Sequence, residues 1–423
     1  MDEQRASRPG MRRPGEGGGG RVQGPRRPHA RGLLRLIWSE RTISRAEIAR
    51  RTDLSRSTVS ETVSELLATG LVLEAGPGQS SGGRRPIVLR FQDDAFGLVG
   101  VDIGSSHVAV ALTDLRGKVV AWQERGHPVS TDPGGTRDLV AALVDECLAN
   151  WGKGVERLVG IGVAVPSPLD PRDPERLSEV ALPAWKGRAG FSFLSERFGV
   201  PVLVDNNANL GALAEHFWGA GQGVDDVTYI KIGTGIGSGH IVGGRLYRGA
   251  TGAAGEIGHI VIDPQGAPCS CGLRGCLCTL VGAHALVLRA AALRAEHPES
   301  RLARGEISLA AIEEAALGGD PLADHLVREA AGHLAVAIAS MLNVLNPAVV
   351  IIGGGLSRVG ELLLGPLRSA VRSRALFWSA ASAQIVTSPL GPRAVALGAA
   401  TLALESALDD LGRFPFARGA RNG

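Results

Sequence analysis

Leu98-Val99-Gly100-Val101-Asp102-Ile103-Gly104 is an apolar run that closes on a glycine turn, and its reading decides the fold class. Taken as a strand, it opens a series. Val108 to Leu112 and Val119 to Trp122 follow as two more strands, completing a meander. A helix from about Arg137 to Trp151 leads into a strand from Leu158 to Val165. Val202-Leu203-Val204, Val227 to Ile232, His240-Ile241-Val242 and Val349 to Ile352 come later, with helices between them. Alternation of this kind predicts an α/β architecture with mixed sheets.

Toward the amino terminus the elements shorten. Leu33, Leu34, Leu36, Ile37 and Trp38 give one apolar helix face, and Ser44-Arg45-Ala46-Glu47 has the form of a capping box ahead of Ile48 and Ala49. Thr52-Asp53-Leu54 is a tight turn, after which Ser55 can cap a third helix. Along that helix Val59, Val63, Leu66 and Leu67 form a single apolar stripe, leaving Arg56, Ser57, Thr58, Ser60, Glu61 and Ser64 facing outward. This is the layout of a helix-turn-helix with short polar side chains on its groove-facing side. Leu71 to Glu74 and Pro86 to Arg90 then read as two strands. The glycine-rich stretch between them, tipped by Arg84 and Arg85, suits a wing that reaches backbone or minor groove. An ordinary solvated helix-and-hairpin face is the competing reading, and the ordered occurrence of helix pair and wing argues against it.

The chain's 423 residues exceed one ordinary core, so two or three domains are expected. No run of about 18 apolar residues occurs, which predicts no transmembrane helix. The basic amino terminus has no apolar segment behind it, so export is not expected and a cytoplasmic location is. Residues 1–29, rich in Gly, Arg and Pro, read as a disordered basic tail. Its seven arginines outnumber Asp2, Glu3 and Glu16, and would either attract phosphate or merely solvate the tail.

His259, Cys269, Cys271 and Cys276 place one imidazole and three thiols within eighteen residues, spaced by glycines. That is the ligand number and chemistry of a structural zinc site, so Zn2+ is the expected cofactor. Four of the five cysteines fall between Cys269 and Cys278, a clustering that small core hydrophobes do not need. A disulfide framework fits poorly in a large chain with no export signal. Cys278 leaves a second set open, in which four thiolates hold the metal and His259 is released.

Three glycine turns follow strands: Asp102-Ile103-Gly104-Ser105-Ser106, the stretch from Gly233 to Gly239, and Gly353-Gly354-Gly355. Glycine at a strand end lets backbone amides approach a phosphate, although such turns also simply connect strands. The order of all three, with the cysteines between the second and third, is specific. With Asp205 to Glu215, Glu256-Ile257-Gly258-His259 and Cys269-x-Cys271-Gly272-x-x-Gly275-Cys276, the chain resembles the ROK family of repressors, open reading frames and sugar kinases. Within it, the sequence looks like the N-acetylglucosamine and xylose repressor group. The resemblance runs from about Phe96 to Leu408. It implies two RNase-H-like subdomains, as in actin-like ATPases, with a sugar cleft between them. The implied division is a winged helix-turn-helix at 30–91, a first subdomain at 96–215 onto which helix 391–408 packs back, and a second subdomain with the zinc loop at 216–390. It also implies that His259 touches both zinc and a sugar hydroxyl.

The departures from the family pattern carry the functional reading. Kinase members have Asn-Asp-Ala-Asn where this chain has Asn206-Asn207-Ala208-Asn209. Their Asp takes the proton of the attacking hydroxyl, whereas Asn207 is a neutral amide with no basic pKa to use. Asp205 lies in a strand-to-turn segment and would point elsewhere. Ser105, Ser106 and His107 stand where kinases carry Gly, Thr and commonly Lys, so base and phosphate cradle depart together. Ser167 replaces a glycine beside the sugar, and Cys278 replaces a hydroxyl-binding Glu. The implied sugar contacts reduce to Asn206, Asn207, Glu256 and His259.

The resulting expectation is a non-enzymatic, sugar-responsive DNA-binding regulator, a repressor in sign. As a homodimer or homotetramer it would bind a pseudo-palindromic operator in double-stranded DNA. Ser57, Thr58, Ser60 and Glu61 would probe base edges from a face headed by Ser55. Arg56, Arg84 and Arg85 would hold phosphate or minor groove. A carbohydrate or modified sugar is the expected effector. The rival readings are a sugar kinase carrying a DNA-binding domain, and a regulator whose cleft no longer binds sugar.

Overall fold

The computed structural model describes residues 29–78 and 85–414. The amino-terminal unit is α1 (Ala30–Glu40), β1 (Thr42–Ser44), α2 (Arg45–Thr52), α3 (Arg56–Ala68), β2 (Val72–Pro77) and β3 (Ile87–Phe91). Ser44 and Ser55 cap α2 and α3 by accepting from the amides of Glu47 and Thr58, as their spacing predicts. The carboxylate of Glu47 pairs with Arg50 and Arg51. Asp53 takes the left-handed conformation (φ 53°) that ends α2 at the turn. The sheet has the order β1-β3-β2, all antiparallel. β1 went unread in the sequence because three residues between two helices carry too little pattern. The basic tail, except for His29, and the wing tip with Arg84 lie outside the described residues.

Next come β4 (Gly97–Ile103), β5 (His107–Thr113), β6 (Val119–Gly126), α4 (Pro133–Trp151), β7 (Leu158–Val165), α5 (Ser192–Phe198), β8 (Val202–Asn206) and α6 (Asn207–Trp218). They are followed by β9 (Val227–Ile232), β10 (Ile236–Val242), β11 (Arg245–Tyr247), α7 (Cys278–Val281), α8 (Ala283–Leu293), α9 (Leu309–Leu317) and α10 (Pro321–Leu345). The chain closes with β12 (Val349–Gly354), α11 (Glu361–Arg372), α12 (Phe377–Ser382), β13 (Gln384–Thr387) and α13 (Ala394–Asp409).

The two five-stranded sheets have one topology. The first runs β6-β5-β4-β7-β8 and the second β11-β10-β9-β12-β13. In each, the first three strands form an antiparallel meander and the last two join in parallel. This is the expected pair of RNase-H-like halves. α13 returns to the first half and lies on it closely. Gly100 and Gly162, paired across β4 and β7, sit where a Cβ would come within 1.8 and 1.9 Å of the Ala396 and Ala399 carbonyl oxygens. Only glycine admits that approach.

The second glycine stretch is shorter as a turn than expected. Only 233–235 turns, and Gly237 and Gly239 lie within β10. Gly239 is needed there because a Cβ would come within 2.3 Å of the Ala208 carbonyl oxygen on α6. α6 is thus pressed between β10 on one side and α13 on the other. Likewise Gly353 and Gly354 end β12.

The amino-terminal unit is not a separate bead. Leu33, Leu34, Ile37, Val63 and Phe91 share one hydrophobic core with Leu98, Leu115, Leu404, Leu408 and Phe414. Trp38 donates its indole N–H to the Leu115 carbonyl at 2.9 Å and packs against Phe217 and Trp218. Arg31 and Arg35 of α1 both reach Asp409 of α13 at 2.6 Å. No helix of the described residues is long and apolar enough to cross a membrane.

Candidate functional site: cleft, metal cluster and helix-turn-helix

β4 and β9 bring Asp102 and Lys231 to the floor between the two sheets. Asp102 is buried, with the His107 Nε2 3.6 Å from its Oδ2 and its Oδ1 without a hydrogen-bond partner among the described residues. Burial pushes this carboxyl up, but the Lys231 charge and the His107 ring outweigh it and hold it below the usual carboxylate range. The same contact with Asp102 raises His107 against the cost of its burial. The His107 ring folds over Gly104, where a Cβ would stand 2.2 Å from it. Ser105 Oγ donates to Thr234 Oγ1 at 2.7 Å, tying the first glycine turn to the second. Side chains therefore fill and bridge the space between the turns.

Asp205, at the end of β8, is fully engaged. Its Oδ2 accepts from Arg248 Nε at 2.8 Å, and its Oδ1 accepts from the Asn206 amide at 2.7 Å and Asn209 Nδ2 at 3.0 Å. The lone pairs of this carboxylate are thus directed at donors within the protein. Arg248 gave no signal in the sequence, since an arginine after a short edge strand is unremarkable there. Asn206 caps α6, its Oδ1 accepting from the amides of Ala208 and Asn209 while Nδ2 donates to the Ser167 carbonyl at 3.1 Å. One amide hydrogen remains for a ligand. Asn207 is buried in the first turn of α6. The Ser167 hydroxyl is spent locally, donating to the Pro168 carbonyl and accepting from the Ser178 amide. Beside it opens a cavity of about 850 Å³, lined by Asp170, Arg176, Ser178 and Lys186 from one half and Thr251 and Ala253 from the other.

Glu256 and His259 stand together on the neighbouring loop, with His259 Nε2 3.8 Å from Glu256 Oε2. Burial pushes the Glu256 carboxyl up, opposed by His259. Beneath the loop lie three linked polar side chains, Thr228, Ser238 and His240, that gave no sign of their contact in the sequence. Ser238 accepts nothing from the loop but donates to the Gly255 carbonyl at 3.0 Å, so His240 Nε2 must donate to Ser238 and its Nδ1 accept from Thr228. Burial keeps this imidazole neutral, pushing it down to about 4. A polar residue alternating with apolar neighbours in a strand was the available clue.

The other ring nitrogen of His259, Nδ1, faces sulfur. It lies 3.5 Å from Cys269 Sγ, and Cys271 Sγ lies 3.7 Å from Cys276 Sγ. The four ligand atoms of His259, Cys269, Cys271 and Cys276 are all within 4.8 Å of one another. A tetrahedral ion with sulfur bonds of about 2.3 Å needs edges of about 3.8 Å, so the donor set fits zinc in both chemistry and spacing. Burial opposes ionisation of Cys269, but the backbone and side chain of Cys271, with Cys278 and His259, draw that thiol down to about 6. Burial and the neighbouring sulfurs push Cys276 and Cys278 up to about 12. Cys278 Sγ lies 3.5 Å from Cys269 Sγ yet stands outside the compact group of four. The arrangement favours the histidine set over four thiolates.

On the amino-terminal unit, Arg56, Ser57, Ser60 and Glu61 form an exposed face of α3. Thr58 is turned partly inward, its hydroxyl 2.8 Å from that of Ser55, which is itself the helix cap. Arg85 is exposed at the described base of the wing.

Residues 98–406 match the ROK family, and residues 27–75 match a helix-turn-helix domain. The chain belongs to the ROK family. It is 33% identical to the xylose repressor of Bacillus spizizenii over 377 residues, spanning 89% of this chain and 95% of that one. It is 30% identical to the DNA-binding transcriptional dual regulator NagC of Escherichia coli K12, spanning 90% and 93%. Among solved structures it resembles a ROK family transcriptional regulator described as a homolog of the Escherichia coli MLC protein, with TM-score 0.78, 27% identity and 92% and 98% of the two chains covered. It also resembles a ROK family glucokinase from Streptomyces griseus in complex with glucose and AMPPNP, with TM-score 0.64 and 32% identity over 73% of this chain and 99% of that one. The regulator likeness thus spans 92% of this chain, against 73% for the glucokinase likeness.

Proposed function

We propose that this ROK-family chain is a sugar-responsive, DNA-binding transcription repressor and not an enzyme. The observation that carries the reading is the shared core: α13 lies against α6 at the cleft and, on its other face, anchors α1 of the helix-turn-helix unit. A change of closure between the two halves would therefore move the DNA-reading helices. The proposed units are 30–91, 96–215 with 391–408, and 216–390. The similarity to proteins named as xylose repressor and NagC supports the sugar class and the DNA-binding role.

In this mechanism Ser57, Ser60 and Glu61 probe base edges from α3, with Thr58 and Ser55 shaping its first turn, while Arg56, Arg84 and Arg85 hold phosphate or minor groove. Two protomers would present two α3 helices to successive major-groove faces of a pseudo-palindromic operator. A sugar would contact Asn207, Glu256, His259 Nε2 and the remaining Asn206 amide hydrogen. Zinc, held by His259, Cys269, Cys271 and Cys276, would supply a rigid cross-link that fixes the loop bearing Glu256 and His259. An effector alters DNA affinity only by binding the two closures unequally, and a coupling of about 1–3 kcal/mol suffices.

Against phosphoryl transfer stand Asn207, the saturated carboxylate of Asp205, and the side chains bridging the glycine turns. A second reading, a DNA-binding regulator whose cleft takes no sugar, is favoured by the local use of the Asn206 and Ser167 side chains. The test selects genomic fragments with the full chain and then titrates a sugar panel against the selected site. Fragment release by one sugar class is expected. Selective DNA binding that no sugar alters would favour the second reading, and no selective DNA binding would end both.

A further inference from the structure

We infer that Cys269 and Cys278 form an oxidation-sensitive pair that converts the zinc loop from a metal-locked to a disulfide-locked state. The inference rests on the zinc reading of the site. Cys278 is the one thiol of the cluster outside the compact ligand group, and its sulfur lies 3.5 Å from that of Cys269. Both residues are partly exposed, whereas Cys276 is buried. A small hydroperoxide can therefore reach this side of the cluster.

The chemistry balances with a hydroperoxide as oxidant. The Cys269 sulfur, a thiolate in the metal-holding state, attacks the peroxide O–O bond, becoming a sulfenic acid and releasing hydroxide. The Cys278 sulfur then attacks that sulfenic sulfur and displaces water. One thiolate and one thiol are oxidised to one disulfide, and one hydrogen peroxide is reduced to one water and one hydroxide. The sulfurs must close by about 1.5 Å to reach disulfide bond length, a side-chain rather than a backbone displacement. The neighbouring pair, Cys271 and Cys276 at 3.7 Å, is a poorer candidate because both sulfurs belong to the metal set and one is buried. Loss of Cys269 leaves three ligands, His259, Cys271 and Cys276, too few for a closed structural zinc site. His259 then loses its fixed orientation beside Glu256, so oxidation reaches the proposed sugar contacts.

The test uses the full-length zinc-loaded protein. Metal analysis before treatment reports the zinc set on its own, and disulfide mapping by mass spectrometry after hydrogen peroxide reports the pair whether or not zinc is found. The expected results are a Cys269–Cys278 linkage, zinc release captured by a chromogenic chelator, and recovery with thiol reductant and zinc. In Cys278→Ser, resting zinc should be unchanged, but after peroxide the zinc should no longer return with thiol reductant, because the unresolved Cys269 sulfenic acid oxidises on to sulfinic acid. A Cys271–Cys276 linkage, no linkage at all, full recovery of zinc by reductant in Cys278→Ser, or loss of resting zinc in that variant would each overturn the inference.

Discussion

Arg248 reaches from the second half of the molecule to hold the Asp205 carboxylate at the end of the first, its Nε and terminal nitrogen 2.8 and 2.7 Å from the same oxygen. Asp205 is buried and Arg248 only partly exposed, so removing the guanidinium strands a charge. Arg248→Ala should lower unfolding stability by about 3 kcal/mol, read by chemical denaturation. A change within about 0.5 kcal/mol would mean that the pair does not bind the halves together.

Trp38 and the Arg31–Arg35–Asp409 cluster fasten α1 to the first half of the body. Trp38→Ala combined with Asp409→Ala should leave operator affinity within about threefold while collapsing the effect of sugar on it toward unity. Mobility-shift titrations with and without effector read both quantities. Undiminished sugar release from that variant would exclude the shared core as the coupling route.

On α3, Arg56→Ala should weaken binding to all DNA sequences alike and reduce the salt slope by about one. Ser60→Ala should instead cost about 1–2 kcal/mol at particular base pairs only. Ser55→Ala acts through its cap, with about 1 kcal/mol lost in stability and no change in base preference.

His240 is neutral in the fold, held down to about 4 by burial, whereas the unfolded imidazole titrates near 6.5. The unfolded state therefore binds the extra proton across the window from about 6.5 to about 4, and stability falls as pH falls through it. His240→Leu should flatten that acid-side loss while adding about 1–2 kcal/mol of cost from the stranded Thr228 and Ser238 hydroxyls. Equal acid sensitivity in variant and parent would place the titration elsewhere.

For the metal, His259→Ala should lower bound zinc to well below one per chain, because Nδ1 is the fourth donor of the compact group. Full zinc occupancy in that variant would restore the four-thiolate set with Cys278.

Much of this architecture was legible in the residues. The strand runs, the serine caps at 44 and 55, the apolar stripe of α3 and the spacing that gathers His259 with Cys269, Cys271 and Cys276 are local patterns, and local patterns survive into the fold. What escaped the reading was set by tertiary proximity. β1 is too short to show a period, and Gly237 and Gly239 read as turn until α6 is seen lying on them. Arg248, Thr234 and His240 acquire their roles from partners 43, 129 and 12 residues away, which no window of sequence displays. Asn206 reads in sequence as a sugar contact, whereas its position at the head of α6 commits its Oδ1 to the helix and one amide hydrogen to the Ser167 carbonyl.

On the proposed function, a cleft with Asn207 in place of a base, and Asp205 already bound, senses its ligand without consuming it. The direct measurement is ATP turnover by the purified full-length chain with a hexose and aminosugar panel, followed by coupled assay and by detection of phosphosugar. No turnover above the protein-free background is expected, alongside sugar-dependent release of operator DNA. Sustained phosphorylation of any sugar in the panel, abolished in Glu256→Gln, would contradict the account.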